Sequence, residues 1–156
     1  MAAAYPGTIK TFSTKAPGEA IASSHINDLQ NEVVAVETQL GVNAGTWTEY
    51  TPSVFAATGT LTSYTSFGRY CRIGKVVICY LYITITDNGT GSVAIITNLP
   101  VPMVYGAIGT GRENAITGDQ LQLFVSGTTI NITNYENAYP AVTGAVLIGS
   151  VTYEAA

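Results

Sequence analysis

The residues from Lys75 to Thr86, KVVICYLYITIT, constrain the fold most strongly, because apolar and amphipathic side chains alternate along them. Successive side chains of a β-strand point to opposite faces, so this alternation predicts one long strand with one buried face. The residues expected on the buried face are Val77, Cys79, Leu81, Ile83 and Ile85. Such a strand needs neighbouring strands and apolar cover, so we expect a β-rich core.

Short β-rich runs separated by Gly, Pro and Asn-Gly turn signals continue from Trp47 to the end of the chain. The predicted strands are 47–52, 59–63, 68–73, 75–86, 93–99, 115–117, 120–126, 129–133 and 145–153. This spacing, without a second helical pattern, favours an antiparallel β-sandwich or jelly-roll-like knob over residues 46–156. The glycine-rich run 106–114 lacks the Gly-Lys-Ser/Thr ending of a phosphate-binding loop, so we interpret it as a flexible loop.

Residues 68–86 predict a β-hairpin that turns at Ile73 and Gly74 and pairs Arg72 with Lys75. In that register the side chains of Cys71 and Cys79 point to opposite faces of the sheet. A disulfide between the two cysteines is therefore not expected.

A short amphipathic helix is predicted ahead of the β-rich part, over residues 21–42. Its apolar residues alternate in spacing between three and four, like the a and d positions of a heptad: Ile26, Leu29, Val33, Val36 and Leu40. This narrow seam favours packing against copies of the same helix, because a helix on a β-sheet usually presents a broader stripe. The mixture of Ile, Val and Leu is compatible with a trimer without fixing the number of copies. We expect Ser23 or Ser24 to cap the helix N-terminus and Gly41 to end the helix.

Residues 1–20 are predicted to form an extended arm. They contain Pro6, Gly7, Pro17 and Gly18, which do not favour a regular helix.

Charge is sparse in this chain, at 10% of residues with a net charge of −4. The six basic residues are scattered, so nucleic acid is not an expected partner. No apolar run approaches the roughly 18 residues of a membrane-spanning helix, and we expect no membrane insertion. Hydrophobic residues nevertheless make up 47% of the chain, which suggests that other subunits cover part of the apolar surface.

Patterns for catalysis or metal binding are weak. The single histidine, His25, is expected to be a polar flank or cap neighbour of the helix, and we predict no metal site and no cofactor. Glu49, Glu113 and Asp119 lie at predicted turns or strand ends, and we interpret them as solvated loop carboxylates. The alternative is a glycan-cleaving enzyme that uses these acids at a subunit junction. We expect no catalytic residues and therefore no enzyme.

The candidate surface-recognition residues are Tyr105, Arg112, Tyr135 and Tyr139. The chain has ten tyrosines, and these three lie in loop-like stretches beside Asn and Gly, a composition typical of adaptable binding surfaces. The alternative is that they cover the ends of the core or a subunit interface.

Four segments resemble small virion proteins of tailed bacteriophages: GEAIASSHINDLQNEVVAVETQLG, WTEYTPSV, GRYCRIGKVVICYLYITIT and IGSVTYEAA. Those proteins join an N-terminal attachment segment and a short helix to a β-sandwich knob. Similar Trp-x-x-Tyr-x-Pro and Gly-Arg-Tyr-x-Arg-Ile-Gly-Lys pieces occur in tail-fibre tips, spike tips and related virion decorations. The resemblance covers roughly residues 17–156.

The resemblance implies a non-enzymatic homotrimer on the virion, assembled in the host cytoplasm. Residues 1–20 would dock on capsid or tail proteins, and the knob of such a short fibre would serve host attachment, with a host surface glycan as a further partner. Trp47, Tyr50 and Pro52 would begin the knob, and residues 69–75 would form its hairpin. A capsid decoration or cement protein that stabilises the shell is the alternative within the same family. A glycan-cleaving or lectin-like domain is the alternative outside it.

Overall fold

A computed structural model describes residues 16–40 and 45–156 and divides the chain into two units, Met1–Ala44 and Gly45–Ala156. Residues 1–15 of the predicted arm and the predicted helix end at Gly41 lie outside the described residues. In the first unit, a turn closed by the bond from the Glu19 N–H to the Ala16 carbonyl precedes helix α1, which spans Ser23–Leu40.

The second unit contains one antiparallel sheet of nine strands. The strands are β1 (Trp47–Tyr50), β2 (Val54–Thr58), β3 (Ser63–Ile73), β4 (Val76–Asp87), β5 (Ser92–Asn98), β6 (Ala107–Glu113), β7 (Gln120–Ser126), β8 (Thr129–Asn134) and β9 (Val146–Glu154). Their order across the sheet is β1-β3-β4-β9-β6-β7-β8-β5-β2. The expected mainly-β, antiparallel, sandwich-like fold with one helix is confirmed.

The sheet curls so that its two halves cover one hydrophobic core. Leu81 and Ile83 of β4 belong to the same buried cluster as Ile130 and Ile132 of β8. The strict alternation along β4 places every second side chain in this cluster, as the sequence predicts. The outer faces of the two halves consequently point away from each other.

Strands β9 and β6 carry glycines at positions where other atoms of the β unit approach closely. A Cβ atom at Gly149 of β9 would lie 2.8 Å from a methyl group of Leu123 on β7, which is not a hydrogen-bonded neighbour of β9. A Cβ atom at Gly109 of β6 would lie 2.7 Å from the Cβ of Val151. A larger residue at either position would overlap these atoms, so the packing here requires glycine.

Two side chains of β3 form hydrogen bonds with the segment that leads from β1 into β2. The Ser66 hydroxyl donates to the Pro52 carbonyl at 2.6 Å, and the Tyr64 hydroxyl accepts from the Val54 N–H at 3.2 Å. These bonds satisfy backbone groups that no strand partner reaches.

Two strand predictions and one loop prediction are wrong. The strand expected at 59–63 is absent, and β2 lies at Val54–Thr58 instead, because Gly59 takes φ +78° and begins a turn. Residues 115–117 form a loop rather than a strand. The run 106–114 is not a flexible loop, since it contains β6, and its glycines are needed where β6 approaches β9.

The β3–β4 hairpin turns one residue later than predicted. Ile73 pairs with Val76, which leaves Gly74 (φ +58°) and Lys75 in the turn, so Arg72 does not face Lys75. Cys71 pairs with Ile78 in this register, and Cys79 pairs with Tyr70. The two cysteines still point to opposite faces, and both are free thiols.

Candidate functional site

The apolar seam of α1 is exposed along its whole length. The exposed fractions are Ile26 48%, Leu29 51%, Val33 49%, Val36 37% and Leu40 40%. The one helix side chain in the buried class is polar, namely Glu32 at 9%. This arrangement reverses the usual distribution, in which a helix turns its apolar stripe towards the protein interior.

The helix N-terminus is capped by His25 rather than by a serine hydroxyl, so the expectation for Ser23 or Ser24 is wrong. The Ala22 N–H donates to Nδ1 of His25 at 3.1 Å, and the His25 N–H donates to the Ala22 carbonyl at 3.0 Å. The first bond corresponds to one half of a capping box, with an imidazole in place of the usual Glu or Gln, while the second is an ordinary backbone bond. His25 was expected to be a polar flank or cap neighbour of the helix; it lies in the first turn and supplies the cap itself.

A stack of planar side chains lies on the outer face of the sheet. The Arg69 guanidinium lies 4.8 Å from the ring centre of Trp47 and 5.3 Å from that of Tyr80. On the inner face, the Tyr50 ring covers Gly68, where a Cβ atom would lie 2.7 Å from its Cζ. The Trp-x-x-Tyr-x-Pro and Gly-Arg-Tyr pieces therefore pack against each other, which joins the edge strand β1 to β3.

The outer face also carries a shallow hollow of about 400 Å³, centred on the β9–β6 pair. Glycines and small polar residues line its floor, with Tyr80 on one side and Arg112 and Gln120 on the other. The remaining lining residues are Thr110, Gly111, Asn114, Ile148, Gly149 and Ser150. A hollow with hydroxyl, amide and guanidinium groups beside an aromatic ring can bind a polar ligand that has one apolar face.

The structure brings two of the predicted recognition residues together. Arg112 of β6 pairs with Gln120 of β7, whose carbonyl accepts the Tyr135 N–H at 3.1 Å. The Gln120 carbonyl and the Gln122 side-chain amide, which donates to the Tyr135 carbonyl at 2.7 Å, hold the Tyr135 backbone in place. Arg112 therefore lines the hollow, whereas Tyr135 lies beyond Gln120, outside the lining residues, and is 59% exposed.

The other two predicted recognition residues lie elsewhere. Tyr105 is 72% exposed and precedes β6, so the length of that strand separates it from Arg112. Tyr139 is half-buried, packs against the core, and donates from its hydroxyl to Oδ1 of Asn88. Its ring covers one end of the core, which is the arrangement of the alternative interpretation.

The prediction that Glu113 is a solvated loop carboxylate is wrong. Glu113 ends β6 and is fully buried, because residues 114–118 wrap around its carboxylate. The backbone N–H groups that donate to it belong to Ala115, Ile116, Thr117, Gly118 and Val146. Burial disfavours its ionised form, but these donors prevail and lower the pKa of Glu113 to about 2. The carboxylate therefore stays ionised and fixes the loop, and it cannot serve as a proton donor near neutral pH.

The remaining acids proposed for a catalytic pair are not assembled with Glu113. Glu49 is exposed on the edge strand β1, and β3, β4 and β9 separate it from β6. Asp119 is close to Glu113 only through the main chain, because the Asp119 backbone carbonyl accepts the Glu113 N–H at 2.8 Å. No pair of free carboxylates faces a common cleft among these three residues.

The described part of the chain contains no group of three or more His, Cys, Asp or Glu side chains that could hold a metal ion. Burial raises the pKa of the Cys79 thiol to about 11, and the Tyr50 hydroxyl lies 3.2 Å from its sulfur. Such a thiol is mostly protonated near neutral pH and is a poor nucleophile. The helix of residues 23–40 is not long and apolar enough to cross a membrane.

The fold and this surface define a mainly-β unit with a single curled antiparallel sheet, following one helix. No protein-family model, curated protein or solved structure matches the chain.

Proposed function

We propose that the chain is a non-enzymatic structural protein of a bacteriophage virion, a homotrimeric surface appendage of the short-fibre type. Helix α1 assembles the copies, the arm of residues 1–20 docks on other virion proteins, and the β unit forms the exposed knob. The observation that carries the proposal is the exposed apolar seam of α1, from Ile26 to Leu40. The motif resemblance supplies the assignment to the virion.

Physical chemistry supports assembly through the helix. An isolated helix of 18 residues is marginally stable in water, so α1 needs a partner along its apolar side. The seam has the a/d spacing at which helices of identical copies interdigitate. Its flanking positions are all polar, as expected at the edge of a helix–helix contact: Gln30, Glu37, His25, Glu32 and Gln39.

Sedimentation equilibrium of the full chain tests this assembly. We expect a trimer that Val33→Asp dissociates, because the substitution places a charge within the packed seam. The matched control is Val34→Asp, since Val34 is 58% exposed and lies outside the a/d spacing. A monomeric wild-type chain, or equal effects of the two substitutions, would refute assembly through the seam.

The position on the particle is tested separately by antibody labelling of intact virions in the electron microscope. Label at the tail tip supports the short-fibre assignment, whereas label over the shell identifies a capsid decoration or cement protein. Particles without label contradict the assignment to the virion.

A second candidate function is carbohydrate binding by the knob, which the hollow beside Tyr80 favours. Its hydroxyl, amide and guanidinium groups can form hydrogen bonds to sugar hydroxyls, while the aromatic ring can pack on a sugar face. We expect host surface polysaccharide to bind the full chain in calorimetry, and Arg112→Ala and Gln120→Ala to weaken binding. Tyr105→Ala, beyond the other end of β6, is the control and should bind normally. Cleavage of the polysaccharide that is lost in Glu49→Gln or Asp119→Asn would instead support the enzymatic alternative.

A further inference from the structure

Arg112 is the one arginine or lysine among the described residues whose charged group has no partner. Arg69 lies against two aromatic rings, Arg72 donates from Nε to a turn carbonyl at 2.8 Å, and Lys75 forms an ion pair of 3.4 Å. The Arg112 guanidinium forms no hydrogen bond, ion pair or ring contact with any described residue. A guanidinium carries five N–H donors in a rigid fork, so this group is free to bind an oxyanion.

The surroundings of Arg112 hold its guanidinium at the hollow on the outer face. Arg112 lines the hollow on the β6 side, and a Cβ atom at Gly118 would lie 3.3 Å from its Nη2. Gly118 belongs to the loop that wraps the buried Glu113 carboxylate, to which the Gly118 N–H donates at 3.2 Å. The carboxylate therefore fixes the loop beside the guanidinium, and the glycine leaves room for it.

Tyr80 presents one side of its ring to the same hollow. Arg69 lies on β3, on one side of β4, with its guanidinium 5.3 Å from the ring centre of Tyr80. The hollow lies on the other side of β4, over β9 and β6. Arg69 therefore supports the ring from behind, and the side towards the hollow can pack on the C–H groups of a sugar.

The lining of the hollow contains a cation and no acid. Its nine residues are Arg112 and eight uncharged ones. Glu113 and Asp119, the nearest acids along the chain, do not line it, and the charge of the buried Glu113 is already bound by backbone N–H groups. The net charge of −4 opposes an anion only weakly, because charges beyond about 8 Å are screened at physiological salt. A ligand in the hollow therefore meets a cation without a counter-charge.

We propose that the hollow binds an acidic oligosaccharide, with a sugar ring on Tyr80 and a carboxylate on the Arg112 guanidinium. The inference rests on the proposed carbohydrate binding by the knob and names its ligand class. Tyr80 and Arg112 lie two strands and two residues apart, about 12 Å between α-carbons, so they approach the ligand from opposite sides. A single guanidinium balances one negative charge and matches the planar fork of a carboxylate, which favours it over a doubly charged phosphate.

Calorimetry of the full chain with paired ligands tests the ligand class. The probes are oligogalacturonate and hyaluronate oligosaccharides, each compared with the same oligosaccharide after its carboxyl groups have been reduced to alcohols. We expect at least one acidic probe to bind about tenfold more tightly than its reduced form, because reduction removes the guanidinium–carboxylate pair. Added sodium chloride should weaken binding of the acidic form and leave the reduced form unchanged.

Two arginine variants with the same change in net charge locate the contact. Arg112→Gln should lower the affinity for the acidic form about tenfold and that for the reduced form much less. Arg72→Gln is the matched control, since Arg72 is exposed and lies outside the lining residues, and it should bind both forms like the wild type. Tyr80→Leu should weaken both forms, because it keeps an apolar side chain but removes the ring.

The outcomes separate the ligand class from carbohydrate binding itself. Equal affinities for the acidic and reduced forms, or equal effects of Arg112→Gln and Arg72→Gln, would overturn the acidic ligand and leave carbohydrate binding intact. No binding of either form would overturn both, whereas the assembly through α1 is decided by sedimentation alone. Wild-type affinity of Tyr80→Leu would overturn the packing of a sugar ring on Tyr80.

Discussion

Replacement of Glu113 by Gln should destabilise the β unit and remove one source of its acid sensitivity. The carboxylate is fully buried and accepts backbone N–H groups from the loop after β6 and from Val146. Its pKa falls from the ordinary value of 4.5 to about 2, which at 1.36 kcal/mol per unit corresponds to an upper limit of about 3 kcal/mol. The covering loop of residues 114–118 is itself exposed, so solvent screening reduces this to about 2 kcal/mol.

The sign of the effect fixes its pH dependence. Because the pKa of Glu113 is lower in the folded state, its stabilisation is fully present above about pH 4.5 and is lost as the pH falls towards 2. Urea unfolding of wild type and Glu113→Gln at pH 7, 4 and 2.5 should therefore show a stability difference that narrows with acid. Glu49→Gln, at an exposed carboxylate, is the control and should change the unfolding free energy by less than about 0.5 kcal/mol. A Glu113→Gln variant as stable as wild type at pH 7, or a difference independent of pH, would refute this reasoning.

Three further substitutions test local features by urea unfolding. Thr97→Val should raise the unfolding free energy by about 1 kcal/mol, because the buried Thr97 hydroxyl has no hydrogen-bond partner among the described residues. A lower unfolding free energy for this variant would show that the hydroxyl does have a hydrogen-bond partner. Val93→Gly should also raise the unfolding free energy by about 1 kcal/mol. Val93 has φ +76° at a β-bulge in the pairing of β2 with β5, a backbone conformation that is strained for valine and not for glycine. An unchanged urea midpoint would contradict this strain. Gly68→Ala should lower the unfolding free energy by more than about 1 kcal/mol through overlap with the Tyr50 ring. Gly106→Ala, whose Cβ would have its nearest neighbour at 3.6 Å, is the control for Gly68→Ala, and equal effects would count against the overlap.

Strictly local patterns predicted their elements well. The alternation along Lys75–Thr86 predicted β4 and its buried face, because the alternation of strand side chains needs no knowledge of neighbouring strands. The three-and-four spacing from Ile26 to Leu40 predicted α1 for the same reason. The runs 120–126 and 129–133 likewise matched β7 and β8, which are joined by a tight turn at Gly127.

Features that depend on the approach of distant segments were missed. The glycines of β6 indicated a loop in the sequence, yet Gly109 and Gly111 are needed because β9 passes too close for a side chain. The position of Glu113 at the end of β6 gave no sign of the backbone donors that surround it, one of which comes from Val146, 33 residues later. The hairpin register was also missed, since Gly74 could occupy either turn position and the partner strands decide between them.

The candidate recognition residues were likewise predicted only in part from the sequence. Sequence composition selected tyrosines beside Asn and Gly, but only the fold separates the exposed Tyr135 from Tyr139, which packs against the core. It also brings Arg112 next to Gln120, a residue that composition alone did not single out.

The sequence by itself determined the periodicities: one amphipathic helix with a narrow apolar seam, and strands whose alternation requires a shared core. Periodicity follows from the geometry of a single segment, so it can be read without the rest of the chain. The tertiary structure decided which strands are neighbours, where close packing requires glycine, and which apolar side chains remain exposed. Those properties arise from contacts between residues far apart in the chain, which the periodicity of a single segment does not contain.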